Sequence, residues 1–322
     1  MTVDYLHKLR TLADLVARGD WREASRRWRQ FGNLQRARKS KGLPFVYNDL
    51  GFPAVCHPDW RDSLDEFLDL RADHAELELA SVWLEPGDSC LDVGANLGQY
   101  TFCFAEKVGT AGEVLSVDAD SFIVSKLSEA VALLDSTNFH LVRAAISDRV
   151  GEVQFFVKPD QCSTFDQSLA PPDELASGHI AVTVPSLTIA EIVARLRAPH
   201  RLSLAKIDIE GAEALALGAA PVDLFRSNGP LWQVEIHAGA LARFGATPSS
   251  VTGCFPAADF ECWLMPKHPD AYPVQVIRPR RLTTKEAFED AVYFNLICVP
   301  RGSRWQARRE RLTMYLQQLR ES

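Results

Sequence analysis

Two short runs of this sequence carry ionisable side chains in a pattern suited to proton-transfer chemistry. In LSLAKIDIEGAE, residues 202–213, Leu202 and Leu204 share a strand face with Lys206, Asp208 and Glu210, because side chains along a strand repeat every two residues. In LWQVEIH, residues 231–237, Gln233, Glu235 and His237 share one face, while Trp232, Val234 and Ile236 share the other. In both runs polarity gathers at the carboxyl end of an apolar stretch. A central parallel strand is covered on both sides, so such charges are costly unless they open into the crevice beyond the strand ends, where these sheets bind ligands. Clustered carboxylates raise one another's pKa and a nearby ammonium opposes the rise, so Asp208, Glu210, Glu235 and His237 become candidate general bases, with Lys206 as their counter-charge. An internal salt bridge from Lys206 to one carboxylate is the plain structural alternative, and both can hold at once.

Groups of this kind need an element that presents a second reactant, and SCLDVGANLGQY, residues 89–100, is suited to that task. Leu91 and Val93 alternate with Cys90, Asp92 and Gly94 as in a buried strand, which then breaks into Gly94-Ala95-Asn96-Leu97-Gly98 before a helix-like run from Tyr100 to Lys107. Glycines lacking a Cβ let the chain turn sharply and let a ligand lie on backbone N–H groups at the positive end of the helix. A second strand, EVLSVD, ends in Asp118 about 20 residues past Gly98, the spacing that places an acid on ribose hydroxyls. The third glycine of a dinucleotide fingerprint is absent, and Asp92 precedes the first glycine. The residues therefore favour S-adenosylmethionine over a nicotinamide cofactor.

The elements that must hold these runs alternate in kind. Tyr5, Leu9, Leu12 and Val16 fall on one helical face; Gly19 and Asp20 form a stop and a cap; Trp21, Ala24, Trp28 and Phe31 repeat the pattern, predicting a helical hairpin with an Arg-rich outer face. Residues 41–60 suit a linker or lid, and residues 63–70 and 73–84 are helical. Beyond Asp118, a helix over 122–134, a third strand over 138–146 and an added strand over 151–157 are expected. A polar loop runs through Cys162 to Pro172, and the stretch up to Pro185 is expected to help choose the substrate, as are residues 238–259. A helix over 188–197, the strands at 202–209 and 231–237, a short strand in FECWLM and a long apolar strand over 291–299, suited to the last position of the sheet, complete the pattern. Residues 303–320 close it as a basic helix.

Composition narrows the partners. Against 42 acidic residues stand 35 Lys and Arg, a net charge of -7 that offers no global attraction to nucleic acid. The seven cysteines show no C-x-x-C pair and several lie in apolar runs, so reduced core thiols are expected rather than a zinc site or a disulfide framework. No metal is required by any spacing. With no apolar run near about 18 residues and no signal-peptide core at the N-terminus, the expected setting is the cytoplasm.

Together, DVGANLGQY, LVRAAISDRVGEVQF, KIDIEGAE and the closing EIH resemble the FkbM family of S-adenosylmethionine-dependent methyltransferases, over roughly residues 87–299. The resemblance implies a Rossmann-like class I methyltransferase fold: a seven-stranded, mostly parallel sheet with its last strand antiparallel and helices on both faces. The expected division of the chain is a helical hairpin and linker over 1–48, a methyltransferase domain over 49–300 and a C-terminal helix over 301–322. The resemblance also implies methylation of a hydroxyl on a sugar or secondary metabolite. Asp92, Gly94, Asn96 and Gly98 match the cofactor turn, joined in the expected cofactor set by Asp118 and by Ala145 of the LVRAAISD run. Lys206, Asp208, Glu210, Gly211 and Glu213 match the second motif. Two departures stand out: Val117-Asp118-Ala119 replaces a common Phe-Glu-Pro, and Thr188-Ile189 lacks the Leu-Asp that often follows Thr. The rival readings are a ribose 2′-O methyltransferase of RNA and a non-catalytic S-adenosylmethionine-binding regulatory protein.

Overall fold

Short runs rich in Val, Ile, Leu and aromatic residues, separated by glycine turns and amphipathic helices, build a single large sheet in the computed structural model. It describes residues 13–14, 16–19, 21–47, 51–60, 63, 74–157, 169, 179–266, 279–282 and 293–321. The chain divides into two compact units, residues 1–72 and 73–322.

In the first unit, helix α1 spans Trp21–Lys39, and strands β1 (Phe45–Tyr47) and β2 (Ala54–Cys56) form an antiparallel ribbon with Val46 opposite Val55. The cap expected at Asp20, most of the helix expected before it and nearly all of the helix expected over 63–70 lie outside the described residues.

The second unit contains an eight-stranded sheet. Its chain-order strands are β3 (Ser89–Val93), β4 (Glu113–Asp118), β5 (Phe139–Arg143), β9 (Leu202–Ile207), β10 (Leu231–His237), β11 (Phe260–Pro266), β12 (Arg280–Arg281) and β13 (Tyr293–Pro300). In space the order is β12-β11-β13-β10-β9-β3-β4-β5. From β5 to β10 the neighbours are parallel, whereas β13, β11 and β12 join antiparallel. This is the class I methyltransferase arrangement with one strand more than the seven expected. The extra strand is the two-residue Arg280–Arg281, an exposed edge whose charges give no hydrophobic alternation to read. The strand expected in the last position, β13, lies instead inside the sheet between β10 and β11.

The expected third strand breaks at Ala144, whose amide N–H is held by the Asp118 carbonyl. Beyond the break, β6 (Ala145–Ile146) leaves for a separate three-stranded sheet, in which β8 (Ile180–Leu187) lies between it and β7 (Gly151–Val157). The polar loop expected to run on to Pro185 therefore ends in a strand.

Helices α2 (His74–Trp83), α3 (Gln99–Val108), α4 (Ser121–Leu134), α5 (Ile189–Val193), α6 (Glu213–Gly218), α7 (Ala238–Ala242), α8 (Pro248–Thr252) and α9 (Gln306–Glu321) connect or flank the strands. The helix expected over 188–197 is thus one short turn, started by the Thr188 hydroxyl accepting the Glu191 N–H. The core joins Leu91, Val93, Leu115 and Val117 to Ala205, Ile207, Trp232, Val234, Phe294 and Leu296. Arg308 of α9 makes an ion pair with Asp88 at 2.6 Å and with Glu85 at 2.8 Å, tying the closing helix to the segment that leads into β3. No helix among the described residues is long and apolar enough to cross a membrane.

The chain builds β4 and β5 to one side of β3 and then crosses to place β9 and β10 on the other. Strand order reverses at β3 and β9, and the crevice outside the carboxyl ends of strands at such a switch point is where open α/β sheets bind ligands. Both motifs singled out in the sequence end there.

Candidate functional site

The parallel registers set a row of polar side chains across four central strands. Asp92 pairs with Ser116 on one side and Lys206 on the other, and Lys206 pairs with Gln233. All four are buried, and each is given a partner by the first turn of α3 or by the row itself. The Thr101 hydroxyl donates to Asp92 Oδ2 at 2.6 Å and lies 2.7 Å from Ser116 Oγ. Gln233 Nε2 donates to the Tyr100 hydroxyl at 3.0 Å, and the Tyr100 ring lies 4.6 Å from Lys206 Nζ.

Lys206 is the positive centre of this row. Its Nζ stands 3.1 Å from Asp208 Oδ2 and 3.9 Å from Asp92 Oδ1, and it donates to the Gly94 carbonyl at 3.5 Å. Burial pulls the ammonium pKa down, but the carboxylates of Asp208, Asp92 and Glu235 outweigh it and leave the pKa raised. Burial pushes the Asp92 carboxyl up despite Lys206 and Thr101. Asp92 is therefore the floor beneath the glycine turn, fully enclosed by protein.

One step further along the strands, Asp208, Glu210 and Glu235 each bring a carboxylate oxygen within 4.8 Å of the others, close enough to hold a divalent cation. Burial, then the charges of Asp208 and Glu235, raise the Glu210 carboxyl well above its ordinary range. Glu210 occupies a left-handed conformation at φ 53°, and its carbonyl accepts from Arg243 at 3.1 Å. The turn on which it sits is held by Glu213, whose Oε1 accepts the N–H groups of Ile209 at 2.9 Å and Gly211 at 3.2 Å. Burial, opposed by those amides, brings the Glu213 carboxyl to about 7. His237 ends β10 exposed to solvent, its ring edge-on to Tyr293 at 5.6 Å. The Tyr293 hydroxyl donates to Glu235 Oε1 at 2.8 Å.

The glycine turn meets this cluster directly. Gly94 has φ 78°, and a Cβ built there would stand 1.7 Å from the Asp208 carbonyl oxygen. The sequence suggested that glycine is needed so that a ligand can approach; the structure adds that the end of β9 already occupies the space. Gly94→Ala is accordingly expected to cost about 2–4 kcal/mol from the left-handed backbone and the clash, and to weaken donor binding with it. A thermal melt beside a calorimetric titration checks this; a variant unchanged in both would show that the contact is dispensable. Gly98, at φ 82°, starts α3 without a side-chain cap, and a Cβ there would meet Leu127 at 2.6 Å.

On the other side of β3, Asp118 ends β4 half-buried. Its Oδ2 accepts the Asn96 N–H at 3.0 Å and its Oδ1 that of Asp120 at 2.9 Å. Burial pushes the carboxyl up to about 6 against those two amides. Asn96 is left-handed at φ 44°, and its side-chain oxygen is buried with no hydrogen-bond partner among the described residues. Ala145 packs with Ala119, Phe155 and Val184 in the small core beneath the Asp118 end of β4.

The sequence-selected residues thus form two neighbouring groups: Asp118, Asn96 and the glycine turn on one side, and Lys206, Asp208, Glu210 and Glu235 on the other, with His237 at the rim. Sequence reasoning missed Tyr100, Thr101 and Tyr293. The first two carry a signal in hindsight, being polar-tipped residues in the first turn of a helix that covers charged strand ends. Tyr293, inside an apolar run, carries none.

The description "Methyltransferase FkbM domain" matches residues 92–262, just over half of the chain. Among solved structures, the chain is similar to the methyltransferase FkbM from Methylobacillus flagellatus KT at 15% identity and a TM-score of 0.39, covering 73% of this chain and 52% of that one. An rRNA methylase from Streptococcus thermophilus matches at 11% identity and a TM-score of 0.39, covering 71% of this chain and 96% of that one. A SAM dependent methyltransferase from Aquifex aeolicus matches at 14% identity and a TM-score of 0.30, with 53% and 66% covered. No curated protein matches. The chain belongs to the FkbM family of S-adenosylmethionine-dependent methyltransferases.

Proposed function

We propose that this chain methylates a hydroxyl oxygen of a small molecule or glycan, a sugar or a secondary metabolite. The observation that carries this reading is the meeting of Asp208, Glu210 and Glu235 within 4.8 Å beside the glycine turn. When bound, S-adenosylmethionine supplies an electrophilic methyl group on a sulfonium. The residues present fit that group: Asp118 keeps lone pairs beyond its two amide contacts, as a ribose diol requires, and the left-handed turn at Gly94, Asn96 and Gly98 leads into a helix N-terminus.

In this reading Asp208, ion-paired to Lys206, takes the proton of the acceptor hydroxyl, and Glu235 and His237 orient the acceptor. Glu210, whose ionisation burial and its acidic neighbours disfavour, completes the acceptor side. Lys206 neutralises the carboxylates from beneath. Asp92, Gly94, Asn96, Gly98, Asp118 and Ala145 form the donor side. Asp208, Glu210 and Glu235 would also hold a divalent cation, which would supply Lewis-acid polarisation of a diol acceptor.

The test is incubation with isotope-labelled S-adenosylmethionine and a mixture of sugars, glycosides, RNA oligonucleotides and amines, with magnesium or a chelator. A labelled methyl ether on a sugar or metabolite hydroxyl is the expected product. Label on RNA or nitrogen alone contradicts the reading, and loss of label with chelator selects the cation-assisted form.

Asp118 makes donor binding depend on pH. Its carboxyl is raised to about 6, so the folded chain binds this proton more tightly than the unfolded one, and ionising it costs stability as pH rises from its ordinary value through about 6. Ribose hydroxyls donate more strongly to the ionised carboxylate than to the protonated acid, so donor affinity is expected to fall as pH drops below about 6, by up to about tenfold near pH 5. Calorimetry across that window should find the dependence in the parent and not in Asp118→Asn.

A further inference from the structure

The registers put one tyrosine where it touches two of the proposed acceptor-side groups at once. Tyr293 is the Cα partner of His237 across the antiparallel β10–β13 pair, and Glu235 faces Asn295, two residues further along β13. Side chains at alternate positions share a face, and a diagonal cross-strand neighbour is within reach of a long aromatic side chain. Tyr293 uses both relations. Its ring sits edge-on to the His237 imidazole, at 5.6 Å and 81°, and its hydroxyl reaches the diagonal neighbour, donating to Glu235 Oε1 at 2.8 Å.

We infer that Tyr293 is the positioning residue of the acceptor half of the site, its hydroxyl fixing Glu235 and its ring fixing His237. Glu235 is buried with the carboxyl groups of Asp208 and Glu210 beside it, and a hydroxyl donor on Oε1 fixes how its carboxylate is turned. His237 lies at the exposed end of β10, where an imidazole without an edge-on neighbour would sample several rotamers. One side chain therefore orders a buried acid and an exposed base from a strand that itself supplies no acid or base to the cluster. The assignment rests on the proposed placement of the acceptor next to Glu235 and His237.

Two substitutions separate the contacts. Tyr293→Phe keeps the ring and removes the hydroxyl, and Tyr293→Leu removes both. Carboxyl-carbon and imidazole-proton resonances, recorded by NMR at one fixed pH in protein without donor or acceptor, read each contact directly, with the amide spectrum reporting the fold. In Tyr293→Phe the Glu235 carboxyl-carbon resonance is expected to move, because its hydroxyl donor is lost, while the His237 resonances stay at their parental positions. In Tyr293→Leu both are expected to move. A parental Glu235 carboxyl resonance in Tyr293→Phe overturns the inference, as does a parental His237 spectrum in Tyr293→Leu. Because Tyr293→Phe is nearly isosteric, it remains informative if the leucine variant does not fold.

Turnover on the acceptor labelled by the parent then distinguishes positioning from simple support. Tyr293→Phe should lower kcat several-fold with the KM for S-adenosylmethionine unchanged, and an unchanged kcat also overturns the assignment. Absence of any methyl ether from the parent would contradict the O-methylation reading while leaving the NMR result on Tyr293 standing.

Discussion

Lys206→Met is expected to lower the unfolding free energy by about 3–5 kcal/mol, the range for removing one partner of a buried ion pair. The side chain of Lys206 is 6% exposed and that of Asp92 0%, so water cannot take over the role of the ammonium for that carboxylate. Asp208, at 25%, is partly solvated and contributes less. Methionine restores much of the apolar volume over Tyr100, so the loss reads as charge rather than cavity. Part of the cost is relieved if Asp92 takes up a proton, which burial already favours. Lowering the pH toward the carboxylate range should therefore narrow the gap between variant and parent. Chemical denaturation at two pH values measures this. A loss below about 1 kcal/mol would mean that Lys206 does not compensate the row beneath the turn.

Much of this arrangement is legible locally. The alternation of Lys206 with apolar neighbours, and of Gln233, Glu235 and His237 with Trp232, Val234 and Ile236, fixes which side chains share a face once the runs are strands, whereas β9 ends at Ile207 and Asp208 and Glu210 lie beyond it, Glu210 in a left-handed turn. The glycine turn and Asp118 are legible for the same reason, since turn chemistry and strand length are properties of a few consecutive residues. What escapes is decided by distant pairing. That Asp92 lies between Ser116 and Lys206 depends on the order in which β4, β3 and β9 assemble. Tyr293 reads as core within AVYFNLICV, and only its register with β10 sets it against His237. Strand β8 is hidden by Pro185 and by a largely exposed surface, which leaves little apolar alternation to detect. Glu213 is visible as part of a motif, but its task of holding the Glu210 turn through two backbone amides appears only in three dimensions.

The second large effect concerns the chemistry. Asp208 is bonded to Lys206, its backbone N–H is held by the Val93 carbonyl, and its own carbonyl abuts Gly94, so its position is set from three sides. Asn has nearly the same shape and can keep these contacts, but it cannot accept a proton. Removing a positioned general base typically costs 10²–10⁴-fold in rate, so Asp208→Asn is expected to lose on the order of a hundredfold or more in kcat. His237→Ala, at the exposed rim, should lose less. Neither side chain belongs to the proposed donor side, so the affinity for S-adenosylmethionine should stay within a few-fold of the parent.

Single-turnover transfer of a labelled methyl group to the acceptor modified by the parent, measured for Asp208→Asn beside calorimetric titration of S-adenosylmethionine, tests the account most directly. Retained donor binding with transfer slowed on the order of a hundredfold or more is expected. Full transfer by Asp208→Asn would contradict it and leave the charges at the ends of β9 and β10 with a structural role alone.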